Sequence, residues 1–176
     1  MLFRSVVTPV WPNLVEIPKI LGATVVTVAL LAESAGWRLD LDRLIDALTP
    51  DTRLLIINSP ANPTGGVVSR EEITKLAHGL ARHPNVAILS DEIYSHQVYD
   101  GVDFVSFLSF PELRDRTIIL DGWSKTFAMT GWRLGFGIWP KHLIEYVKKL
   151  ITVDHSCTSV ATQMGGLAAI TGPISV

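Results

Sequence analysis

Cysteine is scarce in this chain, because Cys157 is the only one among 176 residues. A single cysteine excludes a disulfide framework within the chain, so a reducing, cytoplasmic setting follows as the default. Long apolar runs are also missing, since the longest, 21–31, is interrupted by polar residues and is too short to span a bilayer. The first residues lack the apolar core and cleavage site of a signal peptide. We therefore expect no membrane partner.

A basic excess is absent as well, because the formal net charge is −2 and no basic block occurs. This balance argues against nucleic acid as a partner. The five histidines show no metal-ligand spacing, so no metal site is expected, and no glycine-rich dinucleotide or Walker-type loop occurs. Apolar residues, by contrast, make up 48% of the chain, which is typical of a globular protein with a substantial core.

Apolar runs alternate with amphipathic segments along the chain. The runs that predict buried strands are 2–7, 23–30, 54–57, 86–89, 117–120 and 134–138. Helices are predicted behind Pro12, Asp40, the Ser69–Glu72 capping box and Pro140, and over 158–170, where Gly165 and Gly166 cut the pattern. This alternation predicts an α/β domain with a mostly parallel sheet flanked by helices in three layers.

Polar side chains gather at the ends of three predicted strands. Asn62 follows one strand, Asp91 closes a second, and Lys125 follows a third. In open α/β sheets the ligand binds beyond the carboxyl ends of the strands. We therefore expect these three residues to converge on one crevice from distant positions in the sequence.

Lys125 lies in the stretch DGWSKTFAMTGWRLG at 121–135. A lysine at the end of a buried strand is poorly solvated, and a neutral amine is a nucleophile that commonly forms a Schiff base with a carbonyl. Arg133 and Ser124 lie close in sequence and suit a phosphate. A carbonyl and a phosphate on one ligand describe pyridoxal 5′-phosphate. For a lysine considered by itself, the more common interpretation is a side chain at a strand end that only reaches solvent and binds no ligand.

Four further residues suit the same ligand, and each also has a purely structural interpretation. Asp91 could face a pyridine nitrogen and keep it protonated, or cap a helix. Tyr94 would share a face with Asp91 in a helical turn and donate to a phenolate oxygen, or be a half-buried aromatic. Asn62 could be a second donor to that oxygen, or simply part of a turn. Trp11 could stack on the ligand ring, or pack.

Three motifs in order carry a family resemblance: NPTG at 62–65, SDEIY at 90–94 and SKTFAMTGWRLG at 124–135. Together they resemble the class I/II aminotransferases, which are fold-type I pyridoxal-phosphate enzymes related to aspartate aminotransferase. The resemblance extends from about residue 8 to residue 171. It implies an aminotransferase that passes an amino group between an amino acid and a 2-oxo acid by a ping-pong route, as a homodimer.

The resemblance also implies roles for individual residues. Lys125 matches the lysine that binds the cofactor as a Schiff base and moves the substrate proton, and Asp91 matches the partner of the pyridine nitrogen. The remaining cofactor-binding positions are the phenolate donors Tyr94 and Asn62, the phosphate ligands Arg133 and Ser124, and the stacking ring of Trp11. Gly122 stands where some members carry a second phosphate-binding serine.

Members of that family are considerably longer than this chain. The resemblance therefore implies that 1–176 is a partial cofactor-binding large domain, without the N-terminal segment and the C-terminal small domain. We expect exposed apolar helix faces, which favour association, and little or no transaminase activity from this chain alone. The residues that select the amino donor are expected to lie largely in the missing regions.

Three alternatives stay open at this point. The first is a β-elimination lyase of the same fold, against which Tyr94 argues mildly, because those relatives usually have histidine there. The second is an aminotransferase-like sensor domain of a transcriptional regulator, although nothing helix-turn-helix-like is present. The third is a non-catalytic fragment.

Overall fold

The computed structural model describes residues 3–34 and 36–173, so Leu2 of the first predicted strand lies outside the described residues. The strands are β1 (Phe3–Thr8), β2 (Thr24–Ala29), β3 (Leu31–Glu33), β4 (Gly36–Arg38), β5 (Thr52–Asn58), β6 (Ala87–Asp91), β7 (Thr117–Gly122) and β8 (Gly135–Ile138). Six of them form one sheet in the order β2-β1-β5-β6-β7-β8. All neighbours in it are parallel except β7 and β8. This mostly parallel sheet confirms the predicted fold class.

Helices flank the sheet and connect its strands. They are α1 (Asn13–Ile20), α2 (Leu41–Asp46), α3 (Arg70–Leu80), α4 (Trp123–Thr126), α5 (Ile144–Asp154) and α6 (Val160–Thr171). Short 3₁₀ segments cover Phe107–Ser109, Pro111–Arg116, Thr130–Trp132 and Lys141–Leu143. No helix within the described residues is long and apolar enough to cross a membrane.

The predicted helix starts follow from capping chemistry. The Asp40 side chain accepts the backbone N–H of Arg43 and caps α2. Ser69 and Glu72 form a complete capping box at the start of α3, since each side chain accepts a backbone N–H of the other. These short-range hydrogen bonds satisfy donors that the first turn of a helix leaves free, which is why they could be predicted from sequence.

The main core lies between one face of the sheet and the helices α2 and α3. Alternate residues of the strands point to this face and meet the apolar sides of both helices. The cluster includes Val7, Val28, Leu55, Ile57, Ile88 and Ile119 from the sheet and Leu44, Ile45, Ile73, Leu76 and Leu80 from the helices. Each buried aliphatic side chain contributes about 1.5–3 kcal/mol, so this layer holds the strand ends in place.

The helices α1, α5 and α6 leave much apolar surface exposed. The large exposed side chains on them include Ile17, Ile20, Ile144, Tyr146, Leu150, Ile151, Val153, Val160, Met164, Leu167 and Ile170. Exposed apolar faces were expected for this chain. Large exposed apolar side chains of this number favour association.

Three features differ from the sequence prediction. First, α6 runs without a break through Gly165 and Gly166. These glycines allow close packing, because a Cβ at Gly165 would collide with the Trp132 ring and one at Gly166 with Leu134. Second, the segment after Pro140 begins as a 3₁₀ turn before α5. Third, the short antiparallel pair β3–β4 was not predicted, since strands of three residues carry almost no periodic signal.

Candidate functional site

A cavity of about 360 Å³ opens at the carboxyl ends of β5, β6 and β7. Its volume lies in the range that holds small molecules in other proteins. Every residue predicted for the site lines it: Trp11, Asn62, Asp91, Tyr94, Ser124, Lys125 and Arg133. The other residues on its wall are Asn58, Ile93, Leu120, Asp121 and Thr130. The predicted convergence of three strand ends on one crevice is therefore confirmed.

The strands position these side chains at one edge of the sheet. Asp91 is the last residue of β6, and it is paired in register with Asn58 of β5 and Leu120 of β7. Lys125 is not directly at the end of β7, because it lies in the short helix α4 that follows Gly122. This helical turn carries the half-buried Lys125 side chain into the cavity.

Asn62 and Tyr94 meet although they are 32 positions apart in the sequence. The Asn62 Nδ2 donates to the Tyr94 Oη at 3.3 Å, so two polar groups point at one place in the cavity. Lys125 Nζ lies 5.5 Å from the centre of the Tyr94 ring. Tyr94 does not share a helical face with Asp91, because Asp91 ends a strand and Tyr94 lies in the turn after it. The condition for a shared helical face is therefore not met, but the two side chains still line the same cavity.

Arg133 adopts a left-handed backbone conformation, with φ of 54°. A non-glycine residue in this region costs about 1–2 kcal/mol. Its Nη1 donates to the Thr130 carbonyl oxygen at 2.8 Å, and this bond anchors a guanidinium that lines the cavity. Backbone strain at a cavity wall is a feature that often accompanies function.

Trp11 lies in the segment after β1 and is 50% exposed. A packed core tryptophan would be far less accessible, and Trp11 is one of the residues that line the cavity. Gly122 is the last residue of β7 and pairs with Gly135 of β8, where the two backbones lie very close together. A Cβ at Gly122 would lie 2.8 Å from the Gly135 Cα and the Leu134 carbonyl oxygen, so a serine could not fit there without moving β8.

The cavity contains an unusual pair of carboxyl groups. Burial raises the pKa of Asp91, with a smaller contribution from the negative charge of Asp121, while the Ile93 backbone N–H opposes the rise. Burial likewise raises the pKa of Asp121. A cationic or N–H⁺ partner at Asp91 would reverse its desolvation cost. The carboxylate of Asp91 is therefore suited to a protonated ring nitrogen.

Asn58 and Asp121 are cavity residues that the sequence prediction missed. Each directly follows an apolar run, 54–57 for Asn58 and 117–120 for Asp121. The rule that selected Asp91, a polar residue at the end of a buried strand, would have found both. Thr130 and Ile93 carry no comparable signal, because Thr130 begins a short 3₁₀ segment and Ile93 lies in a turn.

The raised carboxyl pKa values predict how stability depends on pH. Asp91, Asp121 and the neighbouring Glu92 all have pKa values raised by burial, so the folded chain binds their protons more tightly than the unfolded chain. Their stabilising effect is complete below the ordinary carboxyl pKa of about 4 and is lost as pH rises through the raised values. The chain without added ligand is expected to lose stability from these groups as the pH rises above about 4.

An Asp91→Asn variant tests this directly. It removes the buried charge, so it is expected to gain about 1 kcal/mol at pH 7 and nothing near pH 4, as measured by urea unfolding. Asp51→Asn, at an exposed position, is the matched control and should change little. A loss of stability at pH 7 in Asp91→Asn would contradict the conclusion that burial raises the pKa of Asp91 and destabilises its charged form.

Comparison with known proteins gives one consistent result. The family model described as aminotransferase class I and II matches residues 5–175. An aspartate aminotransferase of Rhizobium meliloti is 40% identical over 94% of this chain, and a probable N-acetyl-LL-diaminopimelate aminotransferase of Bacillus subtilis is 39% identical over 93%. The chain spans about 40% of the length of both relatives.

Solved structures agree with the sequence relatives. The aspartate aminotransferase of Rhizobium meliloti superposes with a TM-score of 0.91 at 37% identity, over 98% of this chain and 43% of that one. The aromatic aminotransferase of Pyrococcus horikoshii gives a TM-score of 0.90 at 35% identity, over 97% and 45%. The motifs, the fold and these matches lead to one conclusion: the chain belongs to the class I and II aminotransferase family.

Proposed function

We propose that this chain is part of the cofactor-binding large domain of a pyridoxal-phosphate-dependent aminotransferase. The complete protein would transfer an amino group between an amino acid and a 2-oxo acid. The observation that carries the proposal is the meeting of Lys125, Asp91, the Asn62–Tyr94 pair and Arg133 around one cavity.

The chemistry of this donor set fits pyridoxal phosphate. The ligand has a carbonyl, a ring nitrogen, a phenolate oxygen and a phosphate, and the cavity offers an amine, a carboxylate, two neighbouring donors and a guanidinium. Asn62 Nδ2 and Tyr94 Oη are 3.3 Å apart, close enough for one oxygen to accept from both. Each polar group of the ligand therefore has a complementary group in the same cavity.

Asp91 and Lys125 supply the proton chemistry in this proposal. When bound, the cofactor supplies an electron sink for charge that develops on the substrate α-carbon. Asp91 would hold a proton on the ring nitrogen, which would strengthen that sink. Lys125 is the amine that would hold the cofactor carbonyl, and as a free amine it would be the base that moves the proton from the substrate α-carbon to the cofactor carbon. Tyr94 and Asn62 stabilise the phenolate oxygen through hydrogen bonds.

Arg133 and Ser124 bind the phosphate, and Trp11 stacks on the ring. The left-handed backbone conformation of Arg133 supports this role, because strained backbone conformations cluster at ligand-binding and active sites. Trp11 lines the cavity and is half exposed, so its indole ring is accessible for stacking on a heteroaromatic ring.

The relatives share the reaction but differ in the amino acids for which they are named. Relatives of similar identity are named for aspartate, aromatic amino acids and a diaminopimelate derivative. We propose that the complete protein is a cytoplasmic homodimer and that residues 1–176 alone turn over little or no substrate. Orientation of the substrate supplies much of the rate, and the chain spans about 40% of its relatives.

Binding of the phosphate group tests the proposal. Absorbance titrations with pyridoxal phosphate and with pyridoxal separate the phosphate contribution from the rest. Replacing Arg133 with alanine is expected to weaken binding of pyridoxal phosphate by roughly 10- to 100-fold, because a charge-assisted hydrogen bond contributes about 1.5–3 kcal/mol. Affinity for pyridoxal should stay the same.

Arg82→Ala, at an exposed position, is the matched control and should behave as the unaltered chain does. Equal loss of affinity for both ligands in Arg133→Ala would mean that Arg133 supports the cavity rather than the phosphate. Equal affinity of the unaltered chain for the two ligands would overturn the phosphate site.

A further inference from the structure

Asn58 is a buried polar residue on the wall of the cavity, and none of the roles above uses it. It is the last residue of β5, and it lies opposite Asp91 in the parallel pairing of β5 with β6. Its side chain points into the space between the end of β6 and the loop that carries Asn62.

Both polar atoms of the Asn58 side chain are used. The Nδ2 donates to the Asp91 carbonyl oxygen at 3.1 Å, and the Oδ1 accepts the Asn62 backbone N–H at 2.8 Å. The same Asp91 oxygen also accepts the Ser59 backbone N–H at 3.1 Å. One side chain thus links two segments that are 29 positions apart and holds each of them by its main chain.

The two residues that Asn58 links belong to different parts of the proposed site. Asp91 faces the ring nitrogen and Asn62 the phenolate oxygen, so their separation must match the ring. β6 is fixed by its neighbours in the sheet, but Asn62 lies in an irregular loop. A loop residue needs a specific hydrogen bond to keep its place relative to a strand.

We propose that Asn58 is a positioning residue that sets the separation between Asp91 and Asn62. The inference rests on the proposed function, since it assigns to Asn58 the spacing of two cofactor contacts. An amide is required because the site needs one donor and one acceptor on the same small side chain. Aspartate offers only acceptors, and alanine offers neither group.

Amide hydrogen exchange of the unaltered chain is the first test. The Asn62 backbone N–H is expected to be protected, although it lies in a loop, because it donates to a buried acceptor. In Asn58→Ala this protection is expected to fall at least tenfold. In Asn58→Asp it should largely survive, because the acceptor remains. An unprotected Asn62 amide in the unaltered chain would overturn the inference.

The ligand titration is the second test. Asn58→Asp is expected to bind pyridoxal phosphate at least tenfold more weakly, because it loses the donor to Asp91 and places a second negative charge beside it. The absorbance of the ligand bound to Asn58→Asp should also change with pH over a different range from that of the ligand bound to the unaltered chain. A purely structural role for Asn58 would not produce this difference. Asn85→Asp, at an exposed position, is the matched control.

The outcomes separate the inference from the proposed function. Unchanged affinity and pH profile in Asn58→Asp, with the unaltered chain binding the ligand, would overturn the inference alone. No binding by the unaltered chain, with Asn62 protected and that protection lost in Asn58→Ala, would count against the proposed function while leaving the link between the two segments established.

Discussion

Replacing Lys125 with alanine is expected to abolish covalent attachment of pyridoxal phosphate to this chain. Among the residues that the structure describes, Lys125 is the only lysine that lines the cavity, where its Nζ lies 5.5 Å from the Tyr94 ring. An aldehyde held in the cavity therefore reacts with this amine. Borohydride reduction followed by intact mass measurement should give one added cofactor on the unaltered chain and none on the variant.

Lys148→Ala is the matched control, because Lys148 is exposed and pairs with Glu145 on the surface. It should retain the full adduct. A reducible adduct that persists at the same level in Lys125→Ala would show that the aldehyde reacts with surface lysines, and the assignment of Lys125 would fail.

Replacing Phe107 with alanine is expected to lower the free energy of unfolding by about 3–5 kcal/mol. Phe107 is only 1% exposed, and its ring is part of the main core. Its backbone N–H donates to Glu92 Oε1 at 3.1 Å, an oxygen that also accepts the Ser90 Oγ–H. Loss of the ring therefore leaves a cavity in the main core, next to a segment whose backbone holds the buried Glu92 carboxyl group. Because domains are stable by only about 5–15 kcal/mol, this is a large part of the total.

Urea unfolding measures this effect, and Phe136→Ala provides the comparison. Phe136 is 44% exposed and meets Trp123 edge to face, so its truncation should cost about 1 kcal/mol or less. Similar losses in the two variants would mean that the packing around Phe107 contributes no more than an exposed contact does.

Much of the sheet and most of the site follow from local sequence signals. The buried strands are continuous apolar runs, and polar residues at or just beyond their ends line the cavity. Asp91 and Asn62 are predicted by this pattern from the sequence alone. The rule works because parallel strands must place their carboxyl ends along one edge of the sheet.

Other features depend on contacts between distant segments and could not be predicted. The fit of Gly165 and Gly166 against Trp132 and Leu134 is a matter of three-dimensional packing, whereas the sequence shows only two poor helix formers. The core position of Phe107 likewise depends on a 3₁₀ segment of three residues, which is too short to show periodicity in the sequence. Asn58 was visible as the end of a strand, but its link to Asn62 follows only from the course of the loop.

We expect this cavity to hold pyridoxal phosphate with its carbonyl at Lys125. The most direct test is a visible absorption spectrum of the purified, unaltered chain with added pyridoxal phosphate, before and after borohydride reduction, followed by peptide mapping. We predict a yellow species that reduces to a stable adduct on the peptide containing Lys125. No adduct on that peptide, or adducts spread evenly over the exposed lysines, would contradict the account.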